Sequence, residues 1–219
     1  MTAKQRAAAA CDALEAVYPE AACSLEYGGE GWKLLIMGRL SAQCTDERVN
    51  IVCLELFERY PTAQSIANAD VSAIMEVVRP CGLYKTKAQN IVDSMRILCD
   101  QYGGAVPNDM DALLLLPGVG RKIANLLLGD LYKMGGIVAD THCMRICGRL
   151  GFYEEGKKDP LFTERTMEKL IPRERQSDFC HRLVLFGREY CSASSPRCCE
   201  CPLSGICKHF PAGKRKEKK

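Results

Sequence analysis

The chain has 219 residues, of which 47% are hydrophobic and 26% are charged, a composition typical of an ordered globular protein. Its longest stretch without Asp, Glu, Lys or Arg is residues 60–69, whereas a membrane-spanning helix needs about 20 apolar residues. No transmembrane segment is therefore predicted. No secretion signal is predicted either, because Asp12 and Glu15 interrupt the apolar stretch near the start of the chain. The net charge of +3 comes from the tail, 213–219, which carries +4 and leaves the other residues at −1, so bulk charge does not indicate a nucleic-acid partner.

The hydrophobic pattern is helical along most of the chain. Apolar residues recur at three- and four-residue steps, in segments separated by Pro or Gly at intervals of about one helix. Asp46 and Asp70 are predicted N-caps. The alternating apolar and polar runs that half-buried strands require are not evident. The sequence therefore predicts an all-α fold made of many short helices.

Residues 113–130 read LLLLPGVGRKIANLLLGD, two apolar helices joined by a Pro-Gly turn. Pro117 and Gly118 turn the chain, and the absence of side chains at Gly118 and Gly120 is expected to let another molecule approach the backbone. The second helix is predicted to start near Gly120, where its N–H groups and the positive end of its dipole suit a phosphate. The pattern is typical of a helix-hairpin-helix DNA-binding motif, and a plain tight turn between helices would also produce it.

Fourteen cysteines are many for a chain with no visible export signal. Ten are scattered through apolar patterns and are predicted to be small buried thiols instead of disulfides. The scattered cysteines are Cys11, Cys23, Cys44, Cys53, Cys81, Cys99, Cys143, Cys147, Cys180 and Cys199. The other four, Cys191, Cys198, Cys201 and Cys207, fall within one segment of 17 residues. Their density needs an explanation other than packing.

Two further features of the sequence bear on function. Lys122 lies in the first turn of the predicted second helix, and VADTH (138–142) places Asp140 eighteen residues later. The motifs LPGVGRK and VADTH, with LSAQCTD (40–46) and GLYKTKAQNI (82–91) upstream and HRLVLFGREYC (181–191) downstream, resemble the endonuclease III family of DNA glycosylase/lyases. The resemblance covers about residues 25–210.

The resemblance implies a fold and a domain division. The expected fold is the helix-hairpin-helix DNA glycosylase fold. Residues 22–134 would form a six-helix barrel that ends in the hairpin. Residues 1–21 and 135–219 would form a second helical domain with the cysteine loop and the basic tail.

The resemblance also implies a lysine nucleophile and a carboxylate. The matching lysine, Lys122, would attack C1′ of the sugar, form a Schiff base and cleave the strand by β-elimination. An amine attacks only when neutral, and a helix N-terminus together with partial burial opposes a positive charge. The alternative is that Lys122 is an ordinary solvated surface group, as most lysines are. Asp140 would stabilise the sugar cation as the base leaves, and it could also simply cap a helix that starts at Thr141.

The four clustered cysteines would, by the same resemblance, hold a [4Fe–4S] cluster. Tetrahedral zinc is the alternative, although structural zinc usually takes two short Cys pairs and only one is present here. Cys199 would be a spectator. The cluster is expected to staple a segment too short to build a core.

The predicted DNA contacts come from three places. Gln43 and Leu83 would insert into the duplex once a base is flipped out, although Leu83 could simply pack. Thr141 and His142 would line the pocket, although His142 could be structural. The hairpin residues that would hold the DNA backbone are Gly118, Val119, Gly120 and Arg121. The segment 192–197 contributes only Arg197, and Leu114 stands where relatives often have an acidic residue.

The predicted protein is a bifunctional DNA glycosylase and abasic-site lyase of base-excision repair that removes damaged, oxidised pyrimidines. Its partner would be double-stranded DNA containing damaged bases or abasic sites, and it would act as a monomer in the cytoplasm, at the nucleoid when bound to DNA. The alternatives are an adenine-mismatch or other monofunctional glycosylase, which generally lacks the nucleophilic lysine, and a non-catalytic DNA-binding iron-sulfur protein.

Overall fold

The structure, a computed structural model, describes residues 1–210, so the basic tail at 213–219 lies outside the described residues. The described chain contains eleven α-helices and two short 3₁₀ turns and no strand, which confirms the predicted all-α class. None of these helices could cross a membrane on the criteria of length and apolar character. The helices are α1 (Ala3–Val17), α2 (Gly31–Leu40), α3 (Asp46–Arg59), α4 (Ala63–Ala67), α5 (Val71–Val78), α6 (Tyr84–Tyr102), α7 (Met110–Leu114), α8 (Arg121–Tyr132), α9 (Thr141–Leu150), α10 (Pro160–Leu170) and α11 (Gln176–Glu189).

The described chain divides into two compact units. The first, Cys23–Tyr132, contains α2 to α8 and is called the hairpin unit. The second combines Met1–Ala22 with the described chain from Lys133 onward, contains α1 and α9 to α11, and is called the cysteine-loop unit.

Helix α6 is the longest helix of the hairpin unit and packs against α2, α4 and α5. Its apolar face buries Ile91, Met95 and Leu98 completely or nearly so. The same face carries two fully buried polar side chains, Lys87 and Ser94. Buried polar groups require hydrogen-bond partners, and these two bind backbone carbonyls at the end of α2 and in turns of the same unit.

The cysteine-loop unit is organised around α1, α9 and α11. Apolar side chains such as Leu14, Ile146 and Phe186 meet in one buried cluster.

Six of the ten scattered cysteines are buried, three are half-buried and Cys199 is exposed, and none of the fourteen forms a disulfide. The prediction of free thiols is confirmed for all ten, and burial is confirmed for six of them, whereas it is wrong for Cys199, which lies at the surface.

Helix starts follow local capping rules. Asp70 is the N-cap of α5 and accepts a hydrogen bond from Ser72 N, as predicted. The prediction for Asp46 is wrong by one residue, because Thr45 caps α3 and Asp46 is the first residue of that helix. The Asp46 carboxylate instead accepts a hydrogen bond of 2.6 Å from Ser24 Oγ.

Candidate functional site

The turn between α7 and α8 is held from beneath by side chains of α2 and α6. Ser94 Oγ donates to Pro117 O at 3.0 Å. Arg39 donates from Nε and Nη2 to Asn90 Oδ1 at 3.2 and 3.0 Å. The side chains of Arg39 and Asn90 lie directly under Gly118, whose φ of +76° is in the left-handed region. The turn is therefore built into the unit and has a fixed shape.

The two glycines of the turn differ in what surrounds them. A Cβ at Gly118 would contact the Arg39 guanidinium and lie 2.8 Å from Asn90 Oδ1. The prediction that Gly118 clears an outward approach is thus wrong, since the space that it clears is inside the protein. A Cβ at Gly120 would have nothing within 4 Å. Gly120 is exposed and is the glycine that leaves the outer surface open.

Helix α8 begins at Arg121, as predicted from the turn, and Lys122 lies in its first turn. Arg121 and Lys122 are both exposed. The expected partial burial of Lys122 is therefore wrong, whereas its place at a helix N-terminus is confirmed. Val119 has its side chain buried, 6% exposed, and donates its N–H to Leu116 O at 3.0 Å. Its side chain and amide both stabilise the turn and are not offered to a ligand.

Gln43 and Leu83 share an unusual backbone conformation. Their φ angles are +57° and +47°, a left-handed region that costs a non-glycine residue about 1–2 kcal/mol. Both are exposed, and Leu83, at 58% exposure, is the residue before α6. The alternative that Leu83 simply packs is therefore wrong. Residues whose backbone is strained in this way are common at functional sites.

Asp140 is the N-cap of α9, as predicted. Its Oδ1 accepts a hydrogen bond of 2.7 Å from Cys143 N, and α9 starts at Thr141. This bond fixes the carboxylate at the positive end of the helix dipole. Thr141 is exposed, while His142 is half-buried, lies against Gly187 and contacts Arg145 Nη2 at 3.2 Å. The geometry of His142 is that of a packed side chain.

The four clustered cysteines line one cavity in the cysteine-loop unit. Cys199 does not line it. Apolar residues of the lining include Ile146, Leu150, Phe186, Leu203 and Phe210. Burial raises the pKa of the Cys201 thiol to about 11 and raises those of Cys198 and Cys207 as well, so an incoming metal would have to displace their protons.

The donor set of this cavity bears on which metal fits. Four cysteines of one segment line it together, and thiolates are the ligands of both iron–sulfur clusters and structural zinc. Structural zinc usually takes two short Cys pairs, whereas Cys198 and Cys201 form the one short pair among these four. The four cysteines therefore fit the predicted group.

Arg145 and Arg149 of α9 hold the start of this loop, a role that was not predicted from the sequence for either residue. Arg149 is 8% exposed and donates to Cys191 Sγ at 3.3 Å, to Ser192 O at 2.7 Å and to Ala193 O at 2.8 Å. Arg145 Nε donates to Cys191 O at 3.1 Å. The signal in the sequence was two arginines on a helix whose other residues are largely apolar.

Comparison with known proteins places the chain in a class of DNA repair proteins. The family model described as HhH-GPD superfamily base excision DNA repair protein matches residues 36–173. This chain is 41% identical to endonuclease III of Synechocystis sp. over 93% of its own length and 92% of that relative's. It is 38% identical to endonuclease III of Bacillus subtilis over 95% and 93% of the two lengths. The chain belongs to the endonuclease III family, which confirms the resemblance.

Solved structures agree with this assignment. A trapped covalent intermediate of an endonuclease III with DNA has a TM-score of 0.88 and 40% identity, covering 96% of this chain and 98% of its own. A non-covalent endonuclease III–DNA complex gives the same score and identity. A thermostable thymine-DNA glycosylase, at 21% identity and a TM-score of 0.85, shares the fold. The predicted fold class is confirmed.

Proposed function

We propose that the protein is a bifunctional DNA glycosylase and abasic-site lyase that removes oxidised pyrimidines through a Schiff base at Lys122. The observation that carries the proposal is the position of Lys122, exposed in the first turn of a helix that follows a rigid glycine turn. Family membership supports it, and one relative is known as a covalent intermediate with DNA. The same chemistry requires a covalent link between this chain and its substrate.

The reaction can be followed atom by atom. The neutral Nζ of Lys122 attacks C1′, the C1′–N bond to the base breaks, and the base leaves with the bonding electrons and takes up a proton. The sugar ring then opens to a protonated imine, which makes the 2′ proton acidic. A base removes that proton, and the 3′ C–O bond breaks to expel the 3′ phosphate. The imine is finally hydrolysed and frees the lysine.

Asp140 acts on the charge that develops in the first step. Its Oδ1 is held by the cap, and the negative charge of the carboxylate would stabilise the positive charge that grows on the sugar. A fixed carboxylate needs little reorganisation during the reaction, and this is the physical basis of its contribution.

DNA binding is proposed to depend on shape and on phosphate contacts. The N-terminus of α8 and the open face at Gly120 would hold a backbone phosphate of double-stranded DNA. Gln43 and Leu83 would occupy the space left by a flipped base. The protein would do this as a monomer, in the cytoplasm at the nucleoid.

The metal group that the family implies is proposed to be a [4Fe–4S] cluster. Cys191, Cys198, Cys201 and Cys207 would hold it through their thiolates, and Arg149 would fix the loop around it. Its contribution when bound is to staple this loop to the core of the unit.

The decisive experiment is reductive trapping. Borohydride added during turnover on a duplex with an oxidised pyrimidine should reduce the imine to a stable protein–DNA adduct. Lys122→Gln should give neither adduct nor strand cleavage while its helix content is unchanged. Lys169→Gln, an exposed lysine on α10, is the matched control and should trap normally. An adduct at wild-type yield with Lys122→Gln would overturn the assignment.

A further inference from the structure

Lys87 is the most unusual side chain in the hairpin unit. It is 0% exposed, although lysine is almost never fully buried. Its ammonium donates to the backbone carbonyls of Leu40 at 2.8 Å, Ala42 at 2.6 Å and Cys81 at 2.7 Å. An ammonium has three N–H donors, so each of them is used. Lys87 is thus a fully satisfied cation that binds only main chain.

The three carbonyls lie next to two separate loops. Leu40 is the last residue of α2, Ala42 follows it in the loop that carries Gln43, and Cys81 lies in the 3₁₀ turn that leads to Leu83. The bonded carbonyl of Ala42 is therefore one residue before Gln43, and that of Cys81 is two residues before Leu83. Both positions have left-handed backbone, which persists only where the surroundings fix it. The Lys87 ammonium is a direct link between the two strained loops.

We propose that Lys87 is a positioning residue for base extrusion. Its ammonium ties the loop of Gln43 to the loop of Leu83 and so holds both side chains at the spacing that an opened duplex requires. This inference rests on the proposed function, in which those two side chains enter the DNA. Lys87 does not touch DNA or the reacting atoms, so its removal affects extrusion while the attack by Lys122 at a site with no base is preserved.

The test uses Lys87→Met, which keeps the length of the side chain and removes all three donors. A duplex with 2-aminopurine opposite the lesion reports unstacking by its fluorescence. The fluorescence rise should be lost, and single-turnover base excision should fall by about 10²-fold, the effect of misplacing groups by roughly 1 Å. Strand cleavage at a pre-formed abasic site should stay within about threefold of wild type, since no base has to be extruded.

Arg182→Met is the matched control for loss of a buried cation. Arg182 is 6% exposed and donates to the backbone carbonyl of Tyr18 at 3.2 Å, in the cysteine-loop unit. It should lower thermal stability as Lys87→Met does and leave the fluorescence rise intact. Should Lys87→Met not fold, Lys87→Gln retains two amide donors and should give excision between wild type and the Gln43→Ala/Leu83→Ala double variant.

A double-mutant cycle separates positioning from general support. In the Gln43→Ala/Leu83→Ala background, Lys87→Met should slow excision little further. An equal loss in both backgrounds, or excision at the wild-type rate with either Lys87 variant, would overturn the inference. Failure of the proposed function is distinguishable, because wild-type protein itself would then give no excision and no borohydride adduct.

Discussion

At the scale of single residues, Asp140 combines a structural role with a chemical one, and the two can be separated. Asn caps a helix about as well as Asp does, so Asp140→Asn should keep the free energy of unfolding within about 0.5 kcal/mol of wild type. Base release should slow by about 10²–10³-fold, the usual loss when a group that stabilises developing charge is removed. Chemical denaturation and single-turnover excision measure the two effects.

Asp159→Asn is the matched control for this prediction. Asp159 caps α10 with the same hydrogen-bond pattern, accepting from Phe162 N at 2.9 Å, and should tolerate the change with normal excision. Borohydride trapping of Asp140→Asn at a pre-formed abasic site should be only partly impaired, since no base leaves. If Asp140→Asn released the base at the wild-type rate, its carboxylate would be a cap and nothing more.

Residues differed in how far the sequence could predict them, and the reason is the range of their contacts. Asp140 and Lys122 lie at helix starts, which local rules locate. Lys87 and Arg149 bind carbonyls that lie 43 to 47 residues away, and no local pattern encodes such a pairing. A lysine on the apolar stripe of Ile91 and Met95 was nevertheless a readable sign, since a charge on a buried face needs a partner.

At the scale of elements, the two glycines of the turn between α7 and α8 are expected to have different roles: Gly118 in stability and Gly120 in DNA binding. Gly118→Ala would force a left-handed alanine and a contact with Arg39 and Asn90. We expect it to lower the free energy of unfolding by about 1–3 kcal/mol, measured by chemical denaturation. Gly120→Ala meets open space and should leave stability unchanged while weakening binding to an abasic-site duplex, measured by fluorescence anisotropy.

Gly205→Ala is the control for Gly120→Ala, because its added Cβ also meets open space at a position distant in sequence from the turn. Its affinity for the abasic duplex should equal that of wild type. Normal affinity with Gly120→Ala would show that this face does not hold the DNA backbone. Unchanged stability with Gly118→Ala would show that Arg39 and Asn90 can move aside.

The elements themselves were predictable because periodicity and punctuation are local. The turn residues placed the start of α8 correctly, whereas α7 is a single short helix, Met110–Leu114, that ends before Pro117. The capping error at Asp46 arose because Thr45 and Asp46 are both good caps and only the structure shows which one precedes the helix. Exposure was harder to predict, as Lys122 illustrates, because it depends on which elements pack over a position.

At the scale of the whole molecule, one unit is built from segments that are distant in the chain. Helix α1 packs against α11, and Arg175 of the later segment forms ion pairs with Asp12 and Glu15 of α1 at 2.8 and 2.7 Å. The cysteine loop follows α11 and contributes Leu203 to the same buried cluster. Loss of the metal group should therefore weaken a unit that spans both parts of the chain.

Protein purified without oxygen should be yellow-brown and contain about four iron atoms per chain, as a [4Fe–4S] site requires. Cys198→Ser should lose most of the iron and melt at a lower temperature, because the loop then has no staple. Iron analysis and thermal denaturation measure both.

The neighbouring Cys199→Ser is the matched control, since Cys199 is exposed and lies outside the cavity. It should keep both the iron and the melting temperature of wild type, because a thiol that faces solvent offers the cluster no ligand. One zinc and no iron in anaerobically prepared protein would contradict the prediction. Equal iron loss in both serine variants would instead assign the metal to a different set of cysteines.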